Sequence, residues 1–380
     1  MVTRRNVFIT GANGESTEAR TALGLEMLID LGYIGAAVAR AFVRAGWDVY
    51  GLIRRPEAAS QLLKDEITPI IGTLPSPNAS SDSLDLAFLS ALYSRTKTLD
   101  VIVGCTEHVQ DYPTHYAQVV TLFRALAATS NANGIRPLVL WTSGSKDYGY
   151  TPVEGTPGLA PHLEESPLEA PPFVLPRTTY SLKIFDKENA EFFDAVVLRP
   201  PNVYGYSSSY YGIIFEWAEM VASNVKQAKG QDGYELAIDP RTVLSAMHVD
   251  DCGEGYVALA EHPDRSQIVG QAFNVGPHSY ETTEKLLKAL AKEYDIPGGF
   301  RFTDTEQARK NASGVIVSLI AWSQWLGSDK IRRVTGWKDK RPLFSENLAV
   351  YRRAYECAVK AGHDDVARVA EMKKFFEKHL

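Results

Sequence analysis

The stretch TGANGESTEARTALGLEMLIDLGYIG, Thr10 to Gly35, begins and ends as a phosphate-binding turn does. Glycines let a backbone turn tightly and approach a pyrophosphate, and the helix that follows supplies free N–H groups and the positive end of its dipole. Thr10, Gly11, Asn13 and Gly14 form the first half of such a turn, and Tyr33, Ile34 and Gly35 the second. The next apolar run, WDVYGLIRR, ends in Arg54 and Arg55. Many dinucleotide sites place an acidic residue there to hold the ribose hydroxyls of NAD. Two guanidiniums instead favour the additional phosphate of NADP, which they can meet by bidentate pairing. The pattern predicts a dinucleotide cofactor, NADP in preference to NAD.

Between the halves lies Glu15–Leu31, which such a turn does not normally contain; without Glu15–Gly32 the text reads TGANGYIG. Three explanations compete: a lengthened loop, a chain that has lost its cofactor, and a retained intron. Extra chain is least welcome beneath a pyrophosphate, and the downstream motifs are intact. Gly14-Glu15-Ser16 can be encoded with the donor signal GTGAGT and Leu31-Gly32 with an acceptor AG, and the bases between them make a whole number of codons. The retained intron is the favoured explanation, and it predicts that the chain as written binds dinucleotide poorly.

The elements around these residues alternate short apolar runs with amphipathic stretches, the signature of a parallel sheet flanked by helices. NVFITG, WDVYGLIRR, ITPIIGTL, LDVIVGCTE and RPLVLWTSG are the first five strands. GAAVARAFVRAG, Gly35 to Gly46, is the first helix, and THYAQVVTLFRALAATSNANG is a later one stopped by Gly134. TPVEGTPGLAPHLEESPLEAPPFVLP is rich in proline and glycine and predicts an irregular surface segment beside the site. DAVVLRPPNVYG adds a strand, QAFNVG returns one to the main sheet, and Ser207 to Pro342 reads as a smaller lobe. From Phe344 two amphipathic helices are expected, split near Gly362, the second with Val366, Val369, Met372 and Phe376 on its apolar face.

Composition narrows the functional class. A net charge of −6 offers no electrostatic reason to bind nucleic acid or an anionic membrane. Cys105, Cys252 and Cys357 are scattered and odd in number, which predicts free thiols in a reducing compartment, with neither a disulfide framework nor a zinc site. The first apolar run is too short for a signal-peptide core, and no run reaches the roughly 20 apolar residues of a membrane span. The expectation is a cytoplasmic protein whose partners are a small-molecule substrate and a second copy of itself in a homodimer, with no nucleic acid and no membrane.

TGANG…GYIG, LWTSGSKDYG, EESPLEAPP, LRPPNVYG, MHVDDCGEGYVAL and FNVG follow one another over roughly residues 5 to 340. In that order they resemble the extended short-chain dehydrogenase/reductase superfamily, the NAD-dependent epimerase/dehydratase family. The resemblance implies an α/β fold: a Rossmann-type doubly wound parallel sheet with a small C-terminal substrate-binding lobe. Residues 1–206 would be mainly the dinucleotide-binding domain, interrupted at 15–31. Residues 207–342 would be mainly the lobe, with 246–276 returning to the sheet, and 343–380 would be C-terminal helices. It implies hydride transfer with NAD(P) on a hydroxyl or carbonyl substrate, either a nucleotide sugar or a small carbonyl compound.

The family's catalytic groups are a hydroxyl after the fifth strand and a tyrosine four residues before a lysine. The lysine lowers the phenol's pKa and the tyrosine acts as acid and base. This sequence departs from both. Aligned on Tyr148-Gly149, the hydroxyl position falls on Gly144, so Ser143 is taken as its substitute. Tyr180 and Lys183 are three apart, which still leaves both on one side of a helix. Ser143, Tyr180 and Lys183 are therefore the expected catalytic residues. Thr142, Pro200, Asn202 and Val203 would line the cofactor, and Ser145, Tyr204 and Arg241 would meet substrate. His248, Asp250 and Asp251 suggest helix capping by an aspartate, with no metal. The tryptophans of IAWSQWLGSDKIRRVTGW are expected in packing. The irregular dyad keeps a second reading open, a non-catalytic NADP-binding regulatory protein.

Overall fold

The structure, a computed structural model, describes residues 4–11, 32–75, 86–108, 111–228, 233–312 and 314–370. Expectations placed on Asn13, Gly14, Glu15–Leu31, Met372 and Phe376 lie outside the described residues. The chain enters a sheet through β1 (Asn6–Thr10), β2 (Asp48–Ile53), β3 (Thr68–Ile71), β4 (Val101–Gly104), β5 (Leu138–Thr142) and β6 (Asp194–Arg199). It leaves through β7 (Asn202–Tyr204), β8 (Tyr234–Leu236), β9 (Val243–Leu244) and β10 (Ala246–His248), then returns as β11 (Gln271–Asn274). The seven-stranded sheet has the order β11-β6-β5-β4-β1-β2-β3, and every neighbouring pair is parallel. Strand order reverses between β1 and β4, which makes their carboxyl ends the place where a ligand crevice forms.

Helices cover both faces, so the strands are apolar throughout. Successive residues still point to opposite sides. Val7 and Ile9 join one core with Val101, Val103, Leu138 and Leu140. Phe8, Ile102, Val139 and Trp141 join the other. The first core is closed by α1 (Gly32–Arg44) and by Leu62 of α2 (Ala59–Lys64), and the second is filled by α3 (Leu89–Tyr93) and α4 (Tyr112–Ala132). Asp111 caps α4, accepting from the Thr114 N–H, and Gly134 follows its end with φ +87°. Residues 150–170 contain no helix or extended strand, as their proline and glycine content leads one to expect. They lead to α5 (Leu175–Leu182) and α6 (Lys187–Ala190).

The lobe has its own core. In α7 (Tyr211–Gln227), Tyr211, Ile214, Phe215, Ala218 and Val221 are buried, and they share a cluster with Leu286, Leu287 and Leu290. The chain re-enters the main domain through α8 (Val249–Ala260), which packs on α1 so closely that a Cβ at Gly253 would lie 2.7 Å from the Ala37 carbonyl oxygen. Beyond β11 the lobe resumes with β12 (Glu281–Thr282), α9 (Thr283–Glu293), β13 (Phe300–Phe302), α10 (Glu306–Asn311), α11 (Val315–Ile320), α12 (Asp329–Thr335) and α13 (Leu348–Lys360). Gly362, at φ +63°, turns the chain into a final described helix at 364–370, whose Val366 and Val369 pack on the lobe core. No described helix is long and apolar enough to cross a membrane, and none of the three cysteines forms a disulfide.

The first helix is already formed at Gly32, three residues before the Gly35 its sequence suggests. Gly35 is not its beginning but the point where its first turn rests on the exit of β1. A Cβ there would lie 2.2 Å from the Gly11 carbonyl oxygen. Gly35→Ala is therefore expected to push α1 off the sheet edge and destabilise the fold by about 1–3 kcal/mol. Urea unfolding measures this; an unchanged midpoint would show that helix and turn are not in contact.

Candidate active site

At the carboxyl ends of β1 and β4 the backbone and small side chains make a cradle. Thr10 Oγ1 donates to the Val103 carbonyl and accepts from the Cys105 N–H, tying the two strands at the switch point. Gly11 has φ +73°, and a Cβ there would meet the Cys105 carbonyl oxygen at 2.6 Å and Thr106 Cγ2 at 3.1 Å. Thr106 Oγ1, beside that turn, is buried without a hydrogen-bond partner among the described residues. Tyr33 and Ile34 are buried in the first turn of α1, with the Tyr33 hydroxyl donating to the Gly205 carbonyl. A turn that only glycine fits, a helix start and an orphaned hydroxyl are what a dinucleotide pyrophosphate requires, so the described residues fit the cofactor. Thr142, at the end of β5, hydrogen-bonds Tyr256 and Cys105. Arg54 and Arg55 stand past β2; Arg54 acts electrostatically on His115, and Arg55 pairs with exposed Asp364 at 3.2 Å. Burial, together with His108 and Arg54, lowers the His115 pKa to about 4 and keeps that imidazole neutral.

Beyond β5 the chain makes a 3-10 turn, Ser145–Tyr148, that turns Asp147 inward. Asp147 is 1% exposed and accepts from Ser143 Oγ at 2.5 Å, Thr178 Oγ1 at 2.9 Å, Arg177 Nη2 at 3.0 Å and Arg199 Nε at 3.2 Å. Arg177 also reaches buried Glu107, whose pKa burial raises against the pull of Arg177. Arg199 donates to the Tyr148 hydroxyl, which donates to Asn274 on β11. The Ser143 hydroxyl is thus committed to a carboxylate. At Gly144 a Cβ would lie 3.1 Å from the Arg177 guanidinium, so a side chain there would press on the group that holds Asp147.

Tyr180 and Lys183 do come together on α5 and just after it, but by the face of the ring. Lys183 Nζ lies 4.2 Å from the Tyr180 ring centroid, and Tyr180 packs edge-on against Tyr116. The residues of α5 that reach the ends of β5 and β6 are Arg177, Thr178 and Ser181.

A small cavity of about 10 Å³ lies where the sheet edge meets the lobe, lined by Lys146, Asn202, Tyr211, Leu244, Ser245, Leu319, Trp322 and Gln324. Of the expected cofactor and substrate residues, Asn202 lines it. Val203 is buried in the core and Pro200 offers its carbonyl to the Ser145 N–H. Ser145 is buried, with its carbonyl accepting from Gln324. Tyr204 is packed among lobe aromatics and donates to the Pro342 carbonyl. Arg241 is exposed and paired with Asp239. Trp337 and Trp325 pack as expected, but Trp322 lines the pocket, stacked on Tyr150 with centroids 3.9 Å apart. Sequence reasoning also passed over Lys146. Its signal was a cation among the hydroxyls of a strand exit, which no spacing rule singles out.

The capping expectation at MHVDD shifts by two residues. His248 is the cap, its Nδ1 accepting from the Asp250 N–H, because imidazole and backbone adopt the extended geometry a cap needs. Asp250 instead meets Tyr206 and Arg341, and Asp251 accepts from the Arg341 N–H. An accepting Nδ1 must be unprotonated. Burial, with Arg341 and Arg40, outweighs Asp250 and holds the His248 pKa below its ordinary value. The unfolded chain then takes up a proton that the folded chain refuses, so stability falls as pH drops below about 6.5. His248→Asn keeps an acceptor at the cap without a titrating ring. Its urea stability is expected to decline less steeply from pH 7 to 5 than that of the parent; parallel slopes would remove His248 from this role.

Solved structures share the whole architecture. dTDP-glucose 4,6-dehydratase from Bacillus anthracis, in complex with NAD, matches at TM-score 0.61 and 13% identity, covering 94% of this chain and 98% of that one. UDP-glucose 4-epimerase from Bifidobacterium longum, in complex with NAD+ and UDP, matches at TM-score 0.58 and 16% identity, covering 94% and 99%. UDP-glucose 4-epimerase from Thermotoga maritima, with UDP-glucose, matches at TM-score 0.61 and 14% identity, covering 93% and 99%. No curated protein sequence matches the chain significantly. The sequence profile of the NAD dependent epimerase/dehydratase family matches residues 31–276, beginning at the end of the Glu15–Leu31 segment. With the glycine cradle at the β1–β4 switch point and the lobe facing it, the chain belongs to the NAD dependent epimerase/dehydratase family.

Proposed function

We propose that this chain is an NADP(H)-preferring oxidoreductase or epimerase/dehydratase that transfers hydride to and from a hydroxyl or carbonyl substrate. The observation that carries the reading is the contact of Gly35 with Gly11, which seats the start of α1 on the sheet edge where the family binds its dinucleotide. Thr10, Gly11, Tyr33, Ile34 and Gly35 would hold the pyrophosphate end, and Thr142, Pro200, Asn202 and Val203 the nicotinamide end. When bound, the nicotinamide supplies or accepts the hydride. Tyr180 would move the proton at the substrate oxygen, with Lys183 favouring its ionised form. Ser143 would act through Asp147. The same reading has the enzyme cytoplasmic and compatible with a homodimer.

Arg54 and Arg55 are the basis for NADP. The exposed Arg55–Asp364 pair contributes at most about 1 kcal/mol, so a 2′-phosphate can displace it. Replacing both arginines by Ala is expected to weaken NADP at least about tenfold while changing NAD less than about threefold, by calorimetric titration. Equal losses would show that the pair does not read the phosphate.

A non-catalytic NADP-binding protein is the second reading, favoured by the ring-face geometry of Tyr180 and Lys183. Tyr180→Phe decides between them. For the enzyme, turnover of NADPH with a panel of carbonyl compounds and nucleotide sugars should fall about 10²–10⁴-fold with cofactor affinity unchanged. Cofactor binding without turnover in the unsubstituted protein favours the regulatory reading, and undiminished turnover in the variant assigns the proton to another group.

A further inference from the structure

The helix at 364–370 buries two charges that a surface helix would leave in water. Asp365 and Arg368 are 6% and 5% exposed and pair with each other at 2.9 Å. Val366 and Val369 hold the helix to the lobe core, and its charged residues meet the cofactor edge. Asp364 pairs with Arg55 past β2 at 3.2 Å, and Asp365 Oδ2 accepts from Ser207 Oγ at 2.6 Å in the loop after β7. The Asp365 charge reaches the Tyr33 phenol in the first turn of α1, whose pKa burial and then this carboxylate push upward. Arg368 opposes the rise that burial and Glu107 impose on the Tyr210 phenol. One short helix thus acts on groups past β2, at the start of α1 and near the exit of β4, so it lies across the switch-point crevice. The loop that receives Asp365 is strained. Tyr206 and Ser208, on either side of Ser207, have φ +47° and +55°, which side chains rarely adopt and which persists only where surrounding contacts enforce it. Ser208 Oγ is buried there without a hydrogen-bond partner among the described residues. Gly362, at φ +63°, joins the helix to α13 through the exposed residues 361–364, the kind of junction that serves as a hinge.

We infer that this helix is an internal occupant of the dinucleotide crevice, whose Asp364 and Asp365 carboxylates stand where a bound cofactor brings its own negative charge. Helix and dinucleotide then exclude one another, and the chain exchanges between a clasped form and an open form that binds. The inference rests on the cofactor reading above. A 2′-phosphate on Arg55 would face Asp364, and a pyrophosphate over the first turn of α1 would face Asp365. Like charges brought together in a water-poor crevice repel strongly. Binding therefore requires the helix to swing out about Gly362, and the measured affinity is the intrinsic affinity multiplied by the open fraction. Opening also releases Ser207, which lets Tyr206 and Ser208 leave the left-handed region, so the loop at the lobe changes with the helix. NADP and NAD need the same opening. The clasp lowers the affinity for both by one common factor, whereas contact between an arginine and the 2′-phosphate acts on NADP alone.

The test compares the full chain with a chain ending at Ala361 and with the full-length double variant Asp364→Asn, Asp365→Asn. The double variant keeps side-chain volume and an acceptor for Ser207 while removing both charges. Binding of NADP+ and NAD+ is read by calorimetric titration, folding by thermal melting, and the helix itself by amide hydrogen exchange over residues 363–370. The shortened chain and the double variant should bind NADP+ at least about tenfold more tightly than the parent, and the gain for NAD+ should agree within about threefold. If the shortened chain melts below the titration temperature, the double variant decides. In the parent, excess NADP+ should speed exchange over 363–370 while slowing it in α1. A helix that merely packs beside bound cofactor would be protected instead. Equal affinities in the parent and the double variant overturn the inference, and so does protection of 363–370 by NADP+. A gain confined to NADP+ also overturns it, because Asp364 would then be only a local competitor for Arg55. If the double variant keeps its fold and binds neither dinucleotide, the cofactor reading itself falls and takes the inference with it.

Discussion

Asp147 is a carboxylate taken fully out of water, and it survives there because two hydroxyls and two guanidiniums surround it. Removing one partner from a buried pair of this kind costs about 3–5 kcal/mol, since the other charge is left uncompensated. The same four contacts tie the exit of β5 to the end of β6 and the first turns of α5. They determine which way each neighbouring side chain faces. Ser143 points inward because Asp147 accepts from it, Gly144 lies under the Arg177 guanidinium, and Lys146 is left on the pocket side. The shape of the candidate site is in this sense a consequence of where one buried charge found its partners.

A second constraint acts at the other half of the crevice. The first turn of α1 touches the exit of β1 through Gly35 and Gly11, and α8 touches α1 through Gly253 and Ala37. Backbone meets backbone at both contacts, so the helix cannot shift without moving the cradle. The C-terminal helix adds a clasp from the lobe. Val366 and Val369 anchor it in the lobe core, while Asp364 meets Arg55 and Asp365 accepts from Ser207. Cofactor edge, lobe and C-terminus are therefore mechanically continuous.

The pocket is built from two kinds of surface with different physical roles. Aromatic and aliphatic side chains from the lobe exclude water, and polar groups from the strand exits face them. Excluding water strengthens any charge interaction made inside. The Lys146 ammonium is kept from collapsing onto a carboxylate because Asp147 and Glu107 are already engaged with arginines.

Much of this was legible in the residues. Period-two and continuous apolar runs marked all seven sheet strands, including QAFNVG returning from a distance, because burial on two faces leaves a pattern that short windows reveal. The glycine cradle was legible because only glycine tolerates φ +73° at Gly11 and a backbone contact at Gly35. The site itself was legible only as a list. Ser143, Tyr180 and Lys183 have suitable chemistry, yet spacing along a helix or strand does not say which partner a hydroxyl or ring will choose. That choice was made by residues distant in sequence: Arg177 and Arg199 for Asp147, Tyr116 for Tyr180, and Trp322 for Lys146. Sequence determined the sheet and its cofactor edge because periodicity and glycine geometry are local. The direction in which each catalytic candidate points was left to the tertiary structure, because burying a charge couples it to whichever opposite charge the fold brings within reach.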